Sequence, residues 1–262
     1  SVLTRDFLSH DLGLAARNLR KERNPEKRTN VLDEINTETV TQRLMDILEI
    51  RNRQEQTVPI TKAHVAEIKE YLTALDLIVD CPIETAEPAS EPVEHILFTQ
   101  PGMRYCQAQA LVHALMKDEL FLSLSEKERE TITGRILEEV RGRMLEDIIL
   151  LETSKALGSR YKVCKLQFAS GEFDMLVYDR EENCCAAFEI KHSRQAVAEQ
   201  ARHLRDAEKC ALTQRRFGKL VGKYVLYLGE NYDAGTGIIY HNAEIFLKKL
   251  PNFYFQISTD EV

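Results

Sequence analysis

Three residues of this chain combine the types and spacing that chemistry needs: Asp174, Glu189 and Lys191. Glu189 and Lys191 are two apart, so on a β-strand they project from one face while Phe188 and Ile190 point to the other, into a core. A strand pairing that brings Asp174 alongside makes a cluster of two carboxylates and an ammonium. Carboxylates held that close repel and raise each other's pKa unless a cation neutralises them, and hard oxygen donors of this kind suit Mg2+ or Mn2+. The lysine can then orient or polarise an attacking water. The chemistry implied is metal-assisted phosphodiester hydrolysis, with the ion offsetting charge that develops on the phosphoryl group. The competing reading is an amphipathic strand whose Glu189 and Lys191 form a solvated face or a structural ion pair.

The elements that must position these groups are written on both sides of them. Residues 173–178 are apolar and β-rich, 179–183 make a charged turn and 185–191 form a return strand, which together predict an antiparallel hairpin. Residues 161–168 read as a strand before it. After Lys191, residues 193–210 have helical periodicity, with Val197, Ala201, Leu204 and Ala207 in the buried stripe. Strands at 224–228 and 237–241 and a closing helix at 243–250 follow. Upstream, 103–120 is helical, and Ser125 with Glu128 forms a capping box that opens a helix running on to residue 155. Its inward positions are Ile132, Ile136, Val140, Met144, Ile148 and Leu151. The order helix, three strands, helix, strand, strand, helix predicts an α/β domain.

The first hundred residues have a different grammar. Helices are expected at 3–21 and 38–50, and a third follows the N-cap Thr61 through Val65, Ile68, Leu72 and Leu75. Short strands at 77–83 and 95–99 flank a Glu- and Pro-rich loop over 84–92. Three helices and a hairpin are the order of a winged helix, in which the third helix can enter the major groove of DNA. That helix offers Lys62, His64, Glu67, Lys69 and Glu70, a mixed-charge surface that suits phosphate poorly. A structural or partner-docking role therefore weighs as much as DNA reading. Gln100-Pro101-Gly102 marks the expected boundary, giving a winged-helix domain over 1–100 and an α/β domain over 101–262.

The spacing of Asp174, a hairpin and then Glu189-Ile190-Lys191 resembles the core motif of the PD-(D/E)xK nuclease superfamily, a restriction-endonuclease-like fold. Gly171-Glu172-Phe173-Asp174 stands where the family name has Pro-Asp. The resemblance implies that Asp174 and Glu189 bind the metal and that Lys191 serves the nucleophile. It also implies an accessory metal ligand on the helix before the hairpin, for which Glu146 is the best match and Glu139, Asp147 and Glu152 are rivals. Gln200 corresponds to a helix glutamine that points toward the metal site in several members. A closer resemblance lies in Gln100-Pro-Gly-Met-Arg-Tyr, Arg143-Met-Leu-Glu-Asp-Ile, Glu172-Phe-Asp-Met, Glu189-Ile-Lys-His-Ser and Val225-Leu-Tyr-Leu-Gly. Together these are similar to the C-terminal region of a family of prokaryotic AAA-type ATPases, in which a winged helix and a PD-(D/E)xK-like domain follow an ATPase module. This implies an ATPase domain absent from this chain, and no Gly-x-x-x-x-Gly-Lys-Ser/Thr pattern occurs in it. Opening on Ser rather than Met fits the same expectation of a longer parent.

Composition bounds these readings. With 262 residues and 44% hydrophobic content, the chain can build one large or two ordinary cores. It holds no apolar run of about 18 residues and no signal-peptide pattern, so a cytoplasmic protein with no membrane partner is expected. The six cysteines follow neither a zinc spacing nor a disulfide framework, and adjacent Cys184 and Cys185 read as packing residues. His192 beside Lys191 could meet a phosphate, though a histidine at a strand end is more often a bystander. The net charge of −7 argues against indiscriminate nucleic-acid binding. It hides a segregation, since nine Lys or Arg against three acids fall between residues 191 and 223. The function expected is divalent-metal-dependent cleavage of DNA. The alternative is a catalytically silent DNA- or partner-binding module coupled to the missing ATPase.

Overall fold

The computed structural model describes residues 61–87 and 95–250, so the helices expected at 3–21 and 38–50 lie outside the described residues. The chain divides into two compact units. One holds Gly102–Met144 together with residues 61–70; the other holds Tyr71–Pro101 and Leu145 onward.

In chain order the first elements are α1 (Lys62–Ala74), β1 (Ile78–Asp80), β2 (Ile83–Thr85) and β3 (Ile96–Phe98). Next come α2 (Gly102–Leu115), α3 (Glu119–Leu122), α4 (Glu126–Leu157), β4 (Tyr161–Gln167), β5 (Glu172–Asp179) and β6 (Cys184–Ile190). A 3-10 turn at Ala198–Ala201 leads into α5 (Arg202–Arg205) and α6 (Ala207–Phe217). Strands β7 (Lys219–Tyr227), β8 (Tyr232–Asp233) and β9 (Ile239–Asn242) and helix α7 (Ala243–Lys249) complete the described chain.

The first unit packs α2, α3 and the early turns of α4 around Leu111, Leu115, Phe121, Ile132 and Ile136. The expected capping box is present at the start of α4: Ser125 Oγ accepts from the Glu128 backbone N–H, and the Glu128 carboxylate accepts from the Ser125 N–H.

The second unit is built on a seven-stranded sheet in the order β2-β4-β5-β6-β7-β9-β8. Its middle is an antiparallel meander, β4-β5-β6, after which β7 and β9 add in parallel and β2 lies parallel to β4. Parallel addition of β7 to β6 requires a crossover, which residues 191–218 supply through α5 and α6. Both faces of the sheet are covered, and this is why β5 and β6 read as nearly continuous apolar runs. On one face Val163, Met175, Val177, Ala186, Phe188 and Ile190 pack with Ile149, Leu150 and Leu151 of α4 and Phe246 of α7. On the other, Cys164, Leu166, Phe173, Leu176 and Ala187 pack with Ala201, Leu204 and Phe217. Burying these side chains gives roughly 1.5–3 kcal/mol each for the larger ones, before chain entropy is counted.

Three details differ from the pattern expected. First, β1 and β3 pair antiparallel as a hairpin should, but Cys81 and Leu97 are buried in the same cluster as Ile149 and Val163. The hairpin is thus part of the α/β unit. Second, the expected 84–92 loop begins with two residues of β2, whose register is Ile83↔Lys165, Glu84↔Leu166 and Thr85↔Gln167. Glu84 is buried there because Lys162 and Arg216 both pair with it, so a residue that reads as a solvated loop carboxylate is an internal ion-pair centre. Third, the helix expected at 193–210 starts later and is broken at Asp206, whose side chain caps α6 by accepting from the Glu208 and Lys209 N–H groups. Val197, expected to be buried, is exposed, whereas Ala201 and Leu204 are in the core.

Candidate active site

The β5–β6 hairpin pairs through Met175↔Phe188, Leu176↔Ala187, Val177↔Ala186, Tyr178↔Cys185 and Asp179↔Cys184. Its tip is tied by Asp179, which accepts from Arg160 and from the backbone N–H groups of Glu181 and Glu182. On the other side, β5 pairs with β4 through Cys164↔Leu176 and then Leu166↔Phe173. Two steps along β4 therefore match three along β5, so β5 carries one extra residue at Asp174–Met175. A bulge of this kind bends the strand and re-aims a side chain.

The side chain re-aimed is that of Asp174. Its Oδ2 accepts from the Ile190 backbone N–H at 2.7 Å and from Lys191 Nζ at 2.7 Å. Asp174 thereby continues, with a carboxylate, the hydrogen bonding that the main-chain ladder ends at Met175↔Phe188. Lys191 is held in turn by its own N–H, which donates to the Leu226 carbonyl of β7 at 2.8 Å. Lys191 Nζ also lies 2.7 Å from Glu189 Oε2. The three residues singled out by spacing are brought together, with the ammonium between the two carboxylates. Phe188 and Ile190 are buried on the opposite face, as the alternation requires.

Burial sets the electrostatics. Desolvation works against ionising Asp174, but Lys191, Lys165 and the Ile190 N–H outweigh it and hold its pKa below the usual aspartate value. Glu189 goes the other way: burial, and next the Asp174 charge beside it, push its pKa up to about 8 against the pull of Lys191. Although burial opposes its charge, Lys191 stays protonated because Asp174 and Glu189 flank it. Glu189 Oε1 is buried and receives no N–H or O–H donor among the described residues, and the Glu189 carboxyl bonds that of Asp174, a contact that adds to the rise in its pKa. A carboxylate with one orphaned oxygen and a raised pKa is short of positive charge.

Lys165 was not among the residues singled out by sequence. It is buried in the middle of β4, and its Nζ lies 3.0 Å from Glu146 Oε2 and 3.9 Å from Glu172 Oε1. Desolvation opposes the charge, yet Glu146, Glu172 and Asp174 together keep it protonated. Lys165 thus joins Glu146 of α4 to the Asp174 cluster. The signal for it was present in Val163-Cys164-Lys165-Leu166, where one cation interrupts an apolar strand.

Among the candidates for a helix acid, Glu146 is the one that pairs with Lys165. Asp147 is buried on the same turn and acts on Cys81, whose thiol burial pushes up to about 11. Glu152 is exposed, and Glu139 belongs to the other compact unit. Gln200 turns its side chain onto the loop after Lys191: its Oε1 accepts from the Val197 N–H, and its Nε2 donates to Ser193 Oγ and the Gln195 carbonyl. His192 is exposed. Cys184 and Cys185 are buried free thiols, with burial pushing Cys185 up to about 12, outside the range of a reactive thiolate.

The donor set can be tested for its fit to a metal. Among the described residues, no three His, Cys, Asp or Glu side chains are grouped so as to hold an ion by themselves. Mg2+ does not demand such a cage, because it is commonly held by one or two carboxylates with water and substrate phosphate oxygens completing the shell. Asp174 and Glu189, with the orphaned Oε1, fit that use. Lys191, whose ammonium lies between the two carboxylates, keeps part of its side chain exposed to solvent.

No family model, curated protein or solved structure matches the chain. No described helix is long and apolar enough to cross a membrane.

Proposed function

We propose that the second unit carries a phosphodiester-hydrolysing site of the PD-(D/E)xK kind, acting on DNA with Mg2+ or Mn2+. The observation that supports it is the convergence of Asp174, Glu189 and Lys191 on adjacent strands, with a buried Glu189 oxygen that receives no donor. Asp174 and Glu189 would hold the ion. When bound, it would offset charge developing on the phosphoryl oxygens and lower the pKa of a water. Lys191, anchored through its backbone to β7, would hold the attacking water's lone pair toward phosphorus or donate to a phosphate oxygen. Lys165 and Glu146 would keep Asp174 ionised and fixed. The order α4-β4-β5-β6-α5/α6-β7 is that of a mixed α/β unit, to which the proposal assigns the nuclease role; a winged helix over residues 1–100 and an ATPase module on a longer parent belong to the same proposal.

One observation favours a second reading. Lys191 already bonds both carboxylates at 2.7 Å, as a closed structural ion-pair cluster would. Under that reading the unit is a silent module that couples a separate ATPase to DNA or to a partner.

Cleavage of supercoiled plasmid and of single-stranded DNA, with Mg2+ or Mn2+ and with chelator, separates the two. The wild-type chain is expected to cut only with metal, and Asp174→Asn and Lys191→Met are expected to cut at least about a hundredfold more slowly. Absence of metal-dependent cutting in the wild type, with no metal-induced rise in its melting temperature, would leave the silent module. Asn is preferred to Ala at 174 because its amide oxygen can still accept from the Ile190 N–H.

A further inference from the structure

The cluster of basic residues after Lys191 has a geometry that simple solvation does not explain. Asp206 caps α6 and turns the chain so that Lys209 folds back onto α5. Lys209 is buried, its Nζ 2.6 Å from His203 Nδ1 and 5.3 Å from the centre of the Phe168 ring. Among the described residues no carboxylate lies within ion-pair distance of this buried ammonium. Arg202 Nε lies 3.3 Å from the other imidazole nitrogen, Nε2, and the Arg202 guanidinium has Glu199 3.3 Å away on the exposed side.

An ammonium and a guanidinium Nε–H are donors only, and a neutral imidazole has one donor and one acceptor nitrogen. Whichever nitrogen of His203 carries the proton, one N–H is aimed at another donor. Protonating the ring makes both contacts donor against donor. The imidazole has little room to turn away, since a Cβ built on Gly171 would come 2.5 Å from His203 Cε1; glycine at that position, with φ of 83°, admits the ring. Three basic groups thus stand in a row with one buried cation unpaired by any anion. His203 also lies within the electrostatic reach of the catalytic cluster. Burial, Lys209, Arg202 and Lys191 hold its pKa below the usual histidine value, against the opposing pull of Asp174.

We propose that Arg202, His203 and Lys209 form a binding site for a phosphate group on the flank of the Asp174–Glu189–Lys191 cluster. An anion there turns each mismatched donor into a charge-assisted hydrogen bond. On the nuclease reading, which this part of the proposal rests on, the occupant is a backbone phosphate neighbouring the one attacked, and the site sets how the strand lies across the carboxylates. The anion site itself stands without catalysis.

The test uses the full chain in chelator at fixed pH, with the histidine rings labelled for NMR. Inorganic phosphate is titrated against chloride of equal ionic strength, and then a short oligothymidylate is added. His203 ring resonances are expected to move saturably with phosphate and not with chloride. Arg202→Ala, at an exposed position that leaves packing intact, and Lys209→Met, which keeps the contact with Phe168, are each expected to weaken phosphate binding roughly tenfold or more. Displacement of phosphate by the oligonucleotide assigns the site to a phosphodiester. Phosphate binding that the oligonucleotide leaves unchanged sustains the anion site and assigns it to free phosphate. His203 resonances indifferent to phosphate, or wild-type affinity in both variants, would overturn the proposal. Because no metal is present, a failure to cut DNA leaves these outcomes readable.

Discussion

Replacing Glu189 with Gln turns the electrostatic description of the site into a number. In the folded chain burial and Asp174 push the Glu189 pKa to about 8, from a reference value of 4.5. Between those values the folded state keeps a proton that the unfolded state has released, so ionising Glu189 costs folding stability as pH rises through this window. At about 1.36 kcal/mol per pH unit the full span corresponds to several kcal/mol. Partial solvent access and coupling to Lys191 cut this to an expected loss on the order of 2–3 kcal/mol by pH 9. Gln has the shape of the protonated acid and no charge to desolvate. Glu189→Gln should therefore match the wild type within about 1 kcal/mol at pH 5 and exceed it by about 2 kcal/mol at pH 9. Urea unfolding in chelator at pH 5, 7 and 9 measures the difference directly. Mg2+ added at pH 9 should recover most of the wild type's deficit and do little for the variant, because the cation supplies the missing positive charge only where a carboxylate awaits it. A stability difference between the two proteins that stays flat from pH 5 to pH 9 would refute the assignment of Glu189 as a buried, charge-starved carboxylate.

Other perturbations probe the supports. Lys165→Met leaves Glu146 and Glu172 without their shared cation, and a loss of about 3 kcal/mol is expected in urea unfolding; the double variant with Glu146→Gln should regain part of it. Arg216→Ala removes one of the two cations on buried Glu84 and should cost about 2 kcal/mol, measured in the same way. Gly218→Ala places a methyl 1.8 Å from the Asn183 carbonyl oxygen at a residue with φ of 71°, and soluble yield with circular dichroism should show a chain that folds poorly or not at all.

The hairpin and the meeting of Asp174, Glu189 and Lys191 were legible because both obey short-range rules. The alternation at Phe188-Glu189-Ile190-Lys191 fixes the two faces whatever surrounds the strand, and the charged turn at 179–183 fixes the pairing. Longer-range features were not legible. Glu84 reads as part of a loop because nothing nearby reveals that Lys162 and Arg216, 78 and 132 residues away, will enclose it. The inward stripe of α4 changes along its length. Ile132, Ile136 and Val140 keep helical spacing, but Ile149, Leu150 and Leu151 are buried consecutively because the sheet and the β1–β3 hairpin enclose that end from more than one side. The apolar spacing after Lys191 predicts one continuous helix because it carries no mark of the break that Asp206 makes. Gln200, expected on a helix and aimed at the metal site, lies on a 3-10 turn, and the bonds of its amide to Ser193, Gln195 and Val197 depend on a loop geometry that spacing does not encode.

The extra residue in β5 has a consequence for how such a cluster can be gained or lost. Both hydrophobic faces of the sheet are served by residues on either side of it, Phe173 and Leu176 toward α5 and α6, Met175 and Val177 toward α4. Excising a single codon at 174 would let the β4–β5 ladder run without interruption and preserve Phe173, Leu176 and Val177 as packing residues. The same excision would remove one of the two acids that meet Lys191. In this architecture the carboxylate that Lys191 and the Ile190 N–H hold is an insertion of length one in an otherwise self-sufficient scaffold, so the same core without it lies one deletion away.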